Sequence, residues 1–380
     1  MKKHNLLKAL GIVFLIVAFL TWIIPAGTYS SGTFTSGDYS PLGLLDLVRI
    51  PLSTLSNYAV YGILVLVIGG FYGVLNRTGA YTKLINKLSA RYKGKEKKFA
   101  VITIVFFALL SSITGLNFVL LILVPLFIAV LLSLGFSKIS TLMSTIGAIL
   151  VGNVASIHGF NIVGYINYYF ELDINNGIFT KVIFFIILVF LLAMYVLKHN
   201  MLAPKEKMIS EVEDKTSKKH AKEESKKEAR NSIPLLESEV REEKSYWPLL
   251  IVGGFMIIFL CVALYNWKYA INFEGFETLY ETLVSIEIKD FPIVQNIIGS
   301  FNPLGYWTVS EISIVLIIAC FIIGWLYSIK FNDLIDGFIK GAKEVLPAAF
   351  FVTIANIIMV VTFGSSTGAS IFYTISDYIL

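Results

Sequence analysis

Two short polar stretches interrupt an otherwise apolar region between residues 99 and 161. The first, at 111–117, holds hydroxyl and amide side chains around a glycine, and the second, at 152–161, holds glycines with amide, hydroxyl and imidazole groups. Hydroxyl, amide and freed carbonyl oxygens can coordinate Na⁺, and the N–H groups at a helix N-terminus attract an anion. These stretches are therefore the candidate sites for a small anion and a cation.

The candidate binding residues form three groups. The first stretch supplies Ser111, Ser112, Thr114, Gly115 and Asn117. The second stretch supplies Gly152, Asn153, Ser156, His158, Gly159 and Asn161, and Asn356 stands alone in a later apolar segment. For every group the competing interpretation is packing, because small polar residues also hydrogen-bond between membrane helices.

Two of these candidates carry a more specific alternative. The amide of Asn356 needs a partner in an apolar segment, and the sequence favours a bond between helices over contact with a solute. His158 is interpreted either as a proton-coupling group or substrate contact, or as a residue at the outer membrane interface.

The composition places both stretches inside a membrane protein. Hydrophobic residues make up 56% and charged residues 15% of the chain, against about 45–50% and about 25% in soluble domains. Because apolar runs of about 20 residues recur without strand-type alternation, we predict an all-α, polytopic helical membrane protein. Hydrocarbon cannot satisfy unpaired backbone groups, so the two breaks must be buried in protein or line a wet cavity.

The apolar runs divide the chain into two membrane halves. The predicted N-terminal half, 1–198, has spans at about 6–25, 58–75, 99–134, 139–158 and 179–197. The predicted C-terminal half, 246–380, has spans at about 246–265, 307–328 and 345–363. Between them, residues 199–245 hold 11 basic and 11 acidic residues and few apolar ones, which predicts a charged cytoplasmic linker.

Segment lengths and loop charges set the predicted topology. The segment 99–134 is too long for one span of about 30 Å, so it must reverse within 111–117 as a re-entrant hairpin or as two passes. The loop at 77–98 carries eight Lys or Arg and one acid, Glu96, which places it in the cytoplasm. We expect the N-terminus to be cytoplasmic as well, in a multi-pass protein of the cell (inner) membrane.

Other function classes find little support in the sequence. It shows no catalytic set, no metal-ligand spacing and no phosphate-binding glycine loop, so we predict no enzyme, no metal and no cofactor beyond a coupling Na⁺ or H⁺. Cys261 and Cys320 lie in apolar runs and are interpreted as packing residues. The net charge of +5 comes from loops and needs no nucleic-acid partner. A membrane-embedded enzyme remains an alternative, although His158 has no evident catalytic partner.

Several residue strings resemble one known family. Residues 22–29, WIIPAGTY, resemble the end of the first helix in the C4-dicarboxylate anaerobic carrier family, including its YfcC-type branch. Residues 69–80, GGFYGVLNRTGA, resemble its second-helix motif, and Val124-Pro125-Leu126 with 134–136 resembles the segment after its first hairpin. The most specific string is 336–349, DGFIKGAKEVLPAA. In patches, the resemblance covers most of 7–198 and 246–380.

The resemblance implies a fold and an activity. The family belongs to the ion transporter superfamily, whose members have two inverted halves, each with a re-entrant hairpin and a broken helix, and work by ion-coupled alternating access. We therefore predict a secondary active transporter, symporter or antiporter, for a small organic anion (a C4-dicarboxylate) or an amino acid, coupled to Na⁺ or H⁺. The same resemblance suggests a homodimer.

Two departures from the family pattern keep an alternative open. Members usually extend further at the C-terminus, where they supply a second hairpin and a second broken helix. Members also often carry an acidic or hydroxyl residue at the first hairpin tip, which here reads Gly115-Leu116-Asn117-Phe118. The alternative expectation is a truncated remnant of such a carrier that does not transport.

Overall fold

The structure is a computed structural model that describes residues 4–30, 33–158, 177–199, 244–288, 291–363 and 370–379. Most of the predicted linker at 199–245 falls outside these ranges, as do the candidate residues Gly159 and Asn161.

The described part of the N-terminal half is helical, apart from one short β-hairpin. Its elements are α1 (His4–Ile23), β1 (Gly27–Ser30), β2 (Thr33–Ser36), α2 (Asp46–Asn57), α3 (Ala59–Arg77), α4 (Ala80–Tyr92), α5 (Glu96–Thr114), α6 (Asn117–Ser133), α7 (Lys138–Leu142), a π-helical turn (Met143–Gly147), α8 (Ala148–Val154) and α9 (Ile178–His199). Strands β1 and β2 pair in antiparallel register, with Gly27 opposite Ser36.

The described part of the C-terminal half is also helical, apart from one short pair of antiparallel strands. Its elements are α10 (Trp247–Leu264), α11 (Trp267–Ile271), α12 (Gly275–Val284), β3 (Glu287–Ile288), β4 (Phe291–Pro292), α13 (Ile293–Ile298), α14 (Val309–Leu326), α15 (Phe331–Ala355), α16 (Ile357–Phe363) and α17 (Ile371–Ile379). The all-α class predicted from the composition is thereby confirmed.

Among the described residues, seven helical segments are long and apolar enough to cross a membrane. They are Leu6–Ile23, Ala59–Arg77, Glu96–Thr114, Ile178–Lys198, Trp247–Leu264, Val309–Leu326 and Phe331–Phe363. Many large apolar side chains on them stay exposed, including Phe19, Phe190 and Phe255. Exposed apolar faces on long helices are the expected pattern where lipid replaces water as the solvent.

Three predicted segments differ in detail from the helices observed. The segment 99–134 is two helices, α5 and α6, separated at Gly115 and Leu116. The segment 139–158 contains a π-helical turn and ends its last helix at Val154. The span predicted at 345–363 begins earlier, because α15 runs without a break from Phe331, and it is interrupted at Asn356.

Residue contacts divide the chain into two compact units, of which the larger contains residues 68–165 and 174–344. Its apolar core is built on α5, α6, α8 and α9, with fully buried side chains that include Ile104, Phe107 and Val196. Tyr72 links α3 to α6 of this core, because its hydroxyl donates to the carbonyl oxygen of Ile122 at 2.6 Å.

The smaller unit contains residues 1–67 and 345–380, together with 166–173, which lie outside the described part. In it α16 packs against α1 and α2. The C-terminal helix α17 is tied to the first hairpin, because Thr374 Oγ1 donates to the carbonyl of Pro25 at 2.6 Å. Gly27 and Ser370 also exchange two backbone hydrogen bonds, at 3.1 and 2.9 Å.

Within the larger unit, α3 and α15 approach closely through glycines. A Cβ atom on Gly73 would collide with the carbonyl oxygen of Gly337 and lie 3.0 Å from the Cα of Gly341. A Cβ on Gly341 would in turn collide with the carbonyl oxygen of Gly69. Because these neighbours are backbone atoms, a substituted side chain cannot be accommodated by a change of rotamer. Small residues are what permits this approach of two membrane helices.

The glycine contact predicts a specific stability loss. Gly73→Ala should destabilise the protein by about 1–3 kcal/mol, the usual cost of overpacking, measured as thermal unfolding of the detergent-purified full chain. Gly11→Ala is the matched control, since a Cβ there would meet nothing within 4 Å. Equal melting temperatures for the two variants would contradict the proposed packing role.

Candidate functional site

The first predicted break lies between α5 and α6. Gly115 ends α5 in the left-handed conformation, with φ of 68°, and its N–H donates to the carbonyl of Ser111 at 2.9 Å. Thr114 serves the same helix end, because its hydroxyl donates to the carbonyl of Leu110 at 2.6 Å and accepts from the N–H of Leu116 at 3.2 Å. Glycine is the residue that adopts this backbone conformation without strain.

The second predicted break follows α8, which ends at Val154 and is succeeded by residues that turn toward Ser112. The carbonyl oxygen of Ser112 accepts from the N–H groups of Ile157 and His158, both at 3.1 Å, and from Ser156 Oγ at 3.3 Å. The hydroxyl of Ser112 donates to the carbonyl of Ala155 at 2.7 Å and accepts from the N–H of Ile157 at 3.0 Å. Ser112 of α5 therefore provides hydrogen-bond partners for the backbone groups that follow the end of α8.

This pairing follows from the break at Gly115. In a continuous helix, the carbonyl of Ser112 would accept from the N–H of Leu116. Here that N–H is taken by Thr114, so the Ser112 carbonyl is available to α8. The side chain of Ser112 is fully buried, where an unsatisfied backbone group would be costly. We call the paired ends of α5 and α8, residues 111–117 and 152–158, the junction.

A chain of three polar side chains crosses the junction. Ser111 Oγ is fully buried and lies 2.8 Å from the carbonyl oxygen of Ile149 and 2.7 Å from Oδ1 of Asn117. Asn117 Nδ2 donates to Oδ1 of Asn153 at 3.0 Å. Asn117 and Asn153 are half-buried, so the chain runs from the core toward a more accessible end. Residues from both polar stretches are thus brought into direct contact.

Gly152 permits the close packing that makes these contacts. A Cβ atom on Gly152 would collide with the carbonyl oxygen of Ala108 and approach the Cβ of Ser111 to 2.8 Å. Both neighbours belong to α5, so a larger residue at 152 would push α8 away from Ser111. Its role is therefore to set the distance between the two helices.

The remaining predicted site residues are placed differently. Ser156 is buried and bonded to Ser112, whereas His158 is half-buried and held there through its backbone N–H. Asn356 lies outside the junction. Its Nδ2 donates to the carbonyls of Val352 and Thr353 at 2.9 and 3.3 Å, so these two bonds go to the end of α15, the helix that Asn356 follows. The reason is local, because α15 ends here and its last carbonyls need donors. The bond between helices stays a prediction.

A second group of polar residues, not predicted from the sequence, precedes the junction. Ser140, Thr141, Ser144 and Thr145 are all buried on α7 and the π-helical turn. Thr141 and Thr145 bond to carbonyls of their own helix, whereas the Ser144 hydroxyl has no partner among the described residues. Their spacing of one and four residues places hydroxyls on one helix face, a signal that was present in the sequence. Single π-helical turns often occur at functional sites.

Long apolar helices with two broken ends paired at a buried polar junction are the features of a multi-pass helical membrane protein. The sequence matches the family model described as C4-dicarboxylate anaerobic carrier over residues 5–380. The chain therefore belongs to the C4-dicarboxylate anaerobic carrier family, a family of transporters. The predicted family is confirmed, whereas its YfcC-type branch stays a prediction. No curated protein and no solved structure matches it significantly.

The backbone pairing at Ser112 predicts the effect of removing its hydroxyl. Ser112→Ala removes the hydroxyl that donates to the Ala155 carbonyl and accepts from the N–H of Ile157, which should cost about 1–3 kcal/mol of unfolding free energy. The measurement is thermal unfolding of the purified chain. Ser53→Ala is the control, because the Ser53 hydroxyl donates to a carbonyl of its own helix. A loss no larger than that of the control would show that Ser112 does not hold the junction.

Proposed function

We propose that this protein is a secondary active transporter that moves a C4-dicarboxylate coupled to Na⁺, and that the junction forms part of its ion and substrate site. Membership of the carrier family supports transport of a small dicarboxylate. The observation that carries the site proposal is the pair of acceptor oxygens around the hydroxyl of Ser111. An amino acid as substrate is the alternative outcome.

The proton count at Ser111 favours a cation. A serine hydroxyl has one proton, yet Oγ faces the Ile149 carbonyl at 2.8 Å and Asn117 Oδ1 at 2.7 Å, both of which are acceptors. With the Asn117 oxygen turned toward Ser111, only one of these contacts can be a hydrogen bond at a time, so in this amide orientation one oxygen lone pair faces another. A bound monovalent cation would be coordinated by these oxygens. All of them are neutral, as expected for a Na⁺ site formed by broken helices.

The same side chains can also satisfy one another without the ion. If the amides of Asn117 and Asn153 both turn over, Asn117 Nδ2 donates to Ser111 and Asn153 donates to Asn117 Oδ1. Ser111 then donates to the Ile149 carbonyl, so each close contact has one donor and one acceptor. Binding and release of Na⁺ would in this way be linked to two amide rotations, without exposing an unpaired buried group in the empty state.

The N-terminus of α6 supplies the complementary charge for the substrate. This helix begins at Asn117, beside the proposed ion, and its N-cap residue Leu116 makes no side-chain capping bond. The positive end of the helix dipole therefore lies at the junction, where it can stabilise a carboxylate of the substrate. Half-helix N-termini that face anionic substrate groups are a recurring device in transporters.

Proton coupling through His158 is the second candidate. Within residues 111–117 and 152–158 it is the one titratable side chain, and its backbone is fixed to Ser112. Histidine is a side-chain type that serves proton transfer in proteins, unlike the amides and hydroxyls around it. The two candidates differ in their driving ion and are separated by the same assay.

We also propose the membrane orientation and location. The basic loop at 77–98 supports a cytoplasmic position for that loop and for the N-terminus, in the cell (inner) membrane. Assembly as a homodimer remains part of the proposal and rests on the superfamily resemblance.

Uptake into proteoliposomes tests the ion site. With the purified full chain, an inward Na⁺ gradient should drive uptake of radiolabelled succinate. Ser111→Ala should weaken the apparent Na⁺ affinity about tenfold or more, because it removes an oxygen contact worth about 1.5–3 kcal/mol. Asn153→Ala should weaken it by a smaller factor, because it removes the acceptor that orients the Asn117 amide and not an ion ligand. Asn296→Ala is the matched control, since its exposed amide donates to the carbonyl of Pro292.

The outcomes separate the alternatives. Uptake driven by a proton gradient, indifferent to Na⁺ and lost in His158→Gln, would replace Na⁺ by H⁺ as the coupling ion. Competition of succinate uptake by amino acids but not by other dicarboxylates would change the substrate class. Absence of solute accumulation under either gradient, with a correctly folded wild-type chain, would contradict the proposal.

A further inference from the structure

A narrow apolar groove of about 360 Å³ lies on the larger unit, away from the junction. It is bounded by Tyr72 of α3, Leu84 of α4, Leu126 of α6 and the face of α10 that runs from Leu249 to Ile258. The nine steps between those last two residues span about 14 Å at about 1.5 Å per residue, which is about half of a hydrocarbon core of about 30 Å. The groove therefore has the length of one bilayer leaflet.

The wall formed by α10 is indented by two adjacent glycines. Gly253 and Gly254 both line the groove, and a Cβ atom added to either would meet nothing within 4 Å. These glycines therefore do not serve close helix packing, unlike Gly73 on α3. The absence of their side chains leaves open space along this face of α10.

One end of the groove carries a cation and aromatic groups. Lys87 lies one helical turn beyond Leu84 on α4, and Tyr246 lies one turn before Leu249 on α10, so both mark the same end. The exposed Lys87 ammonium donates to the Tyr246 hydroxyl and lies 4.6 Å from the centre of that ring. Trp247 stacks on Tyr246 at 5.5 Å and is 60% exposed. Lysine with tyrosine and tryptophan is the composition of a headgroup region.

The charge around this end decides which lipid fits. Lys87 belongs to the loop at 77–98, which has eight basic residues and one acid. An anionic headgroup is attracted to such a surface, whereas a zwitterionic one gains less. We propose that the groove binds an anionic phospholipid of the surrounding membrane, with one acyl chain along Gly253 and Gly254 and its phosphate held by Lys87 and Tyr246. The site is separate from the junction and does not depend on the transported solute.

Native mass spectrometry of the full chain tests this proposal. Protein purified in detergent is titrated with phosphatidylglycerol or with phosphatidylcholine of the same acyl chains. The wild type should retain phosphatidylglycerol preferentially. Lys87→Gln should reduce that retention about fivefold, toward the level of phosphatidylcholine, as expected for the loss of one interfacial charge. Lys93→Gln is the matched control, since Lys93 is an exposed lysine of the same basic segment but lies at the C-cap of α4, six residues beyond Lys87.

A variant that fills the groove is the second part of this test. Gly254→Leu places a side chain in open space, so it should reduce retention of both lipids while leaving thermal stability in lipid-free detergent unchanged. Equal retention of the two lipids by the wild type, or unchanged retention in both Lys87→Gln and Gly254→Leu, would overturn the proposal. Because Lys87 is exposed, its variant gives a result even if Gly254→Leu fails to fold.

Discussion

The organisation of this site depends on one constraint, that backbone groups freed by a helix break must find partners away from water. Gly115 ends α5 and releases the carbonyl of Ser112, and Val154 ends α8 and releases the N–H groups that follow. These groups pair with each other at 3.1 Å rather than with a solvent that is not present in hydrocarbon. Each helix break therefore supplies the hydrogen-bond partners that the backbone groups of the other break need.

This backbone pairing fixes the positions of the side chains that do the proposed chemistry. Because the Ser112 carbonyl holds the chain after α8, Oδ1 of Asn153 lies 3.0 Å from Nδ2 of Asn117, although the two residues are 36 positions apart in the sequence. Gly152 lets α8 lie directly on α5 and so places the Ile149 carbonyl beside Ser111. The oxygens around Ser111 are thus positioned by rigid helices and not by a loose loop, which favours ion selectivity.

The sequence was sufficient to predict the breaks and most of the residues that meet there. Polar side chains and glycine in an apolar run are anomalous at bilayer depth, so 111–117 and 152–158 could be found from residue types alone. Three features could not. The contact to Ile149 uses a backbone carbonyl, which every residue type has. The π-helical turn depends on packing, and the partner of the Asn356 amide depends on where α15 ends. Backbone groups leave no signature in the sequence until the helix ends are known.

The central claim, that the oxygens around Ser111 hold a sodium ion, is tested most directly by imaging the site. Electron cryomicroscopy maps of the full chain in sodium chloride and in choline chloride should differ at the junction. A density between Ser111 Oγ, Asn117 Oδ1 and the Ile149 carbonyl should be present with sodium and lost with choline. Identical maps, with direct hydrogen bonds filling that position in both salts, would contradict the claim.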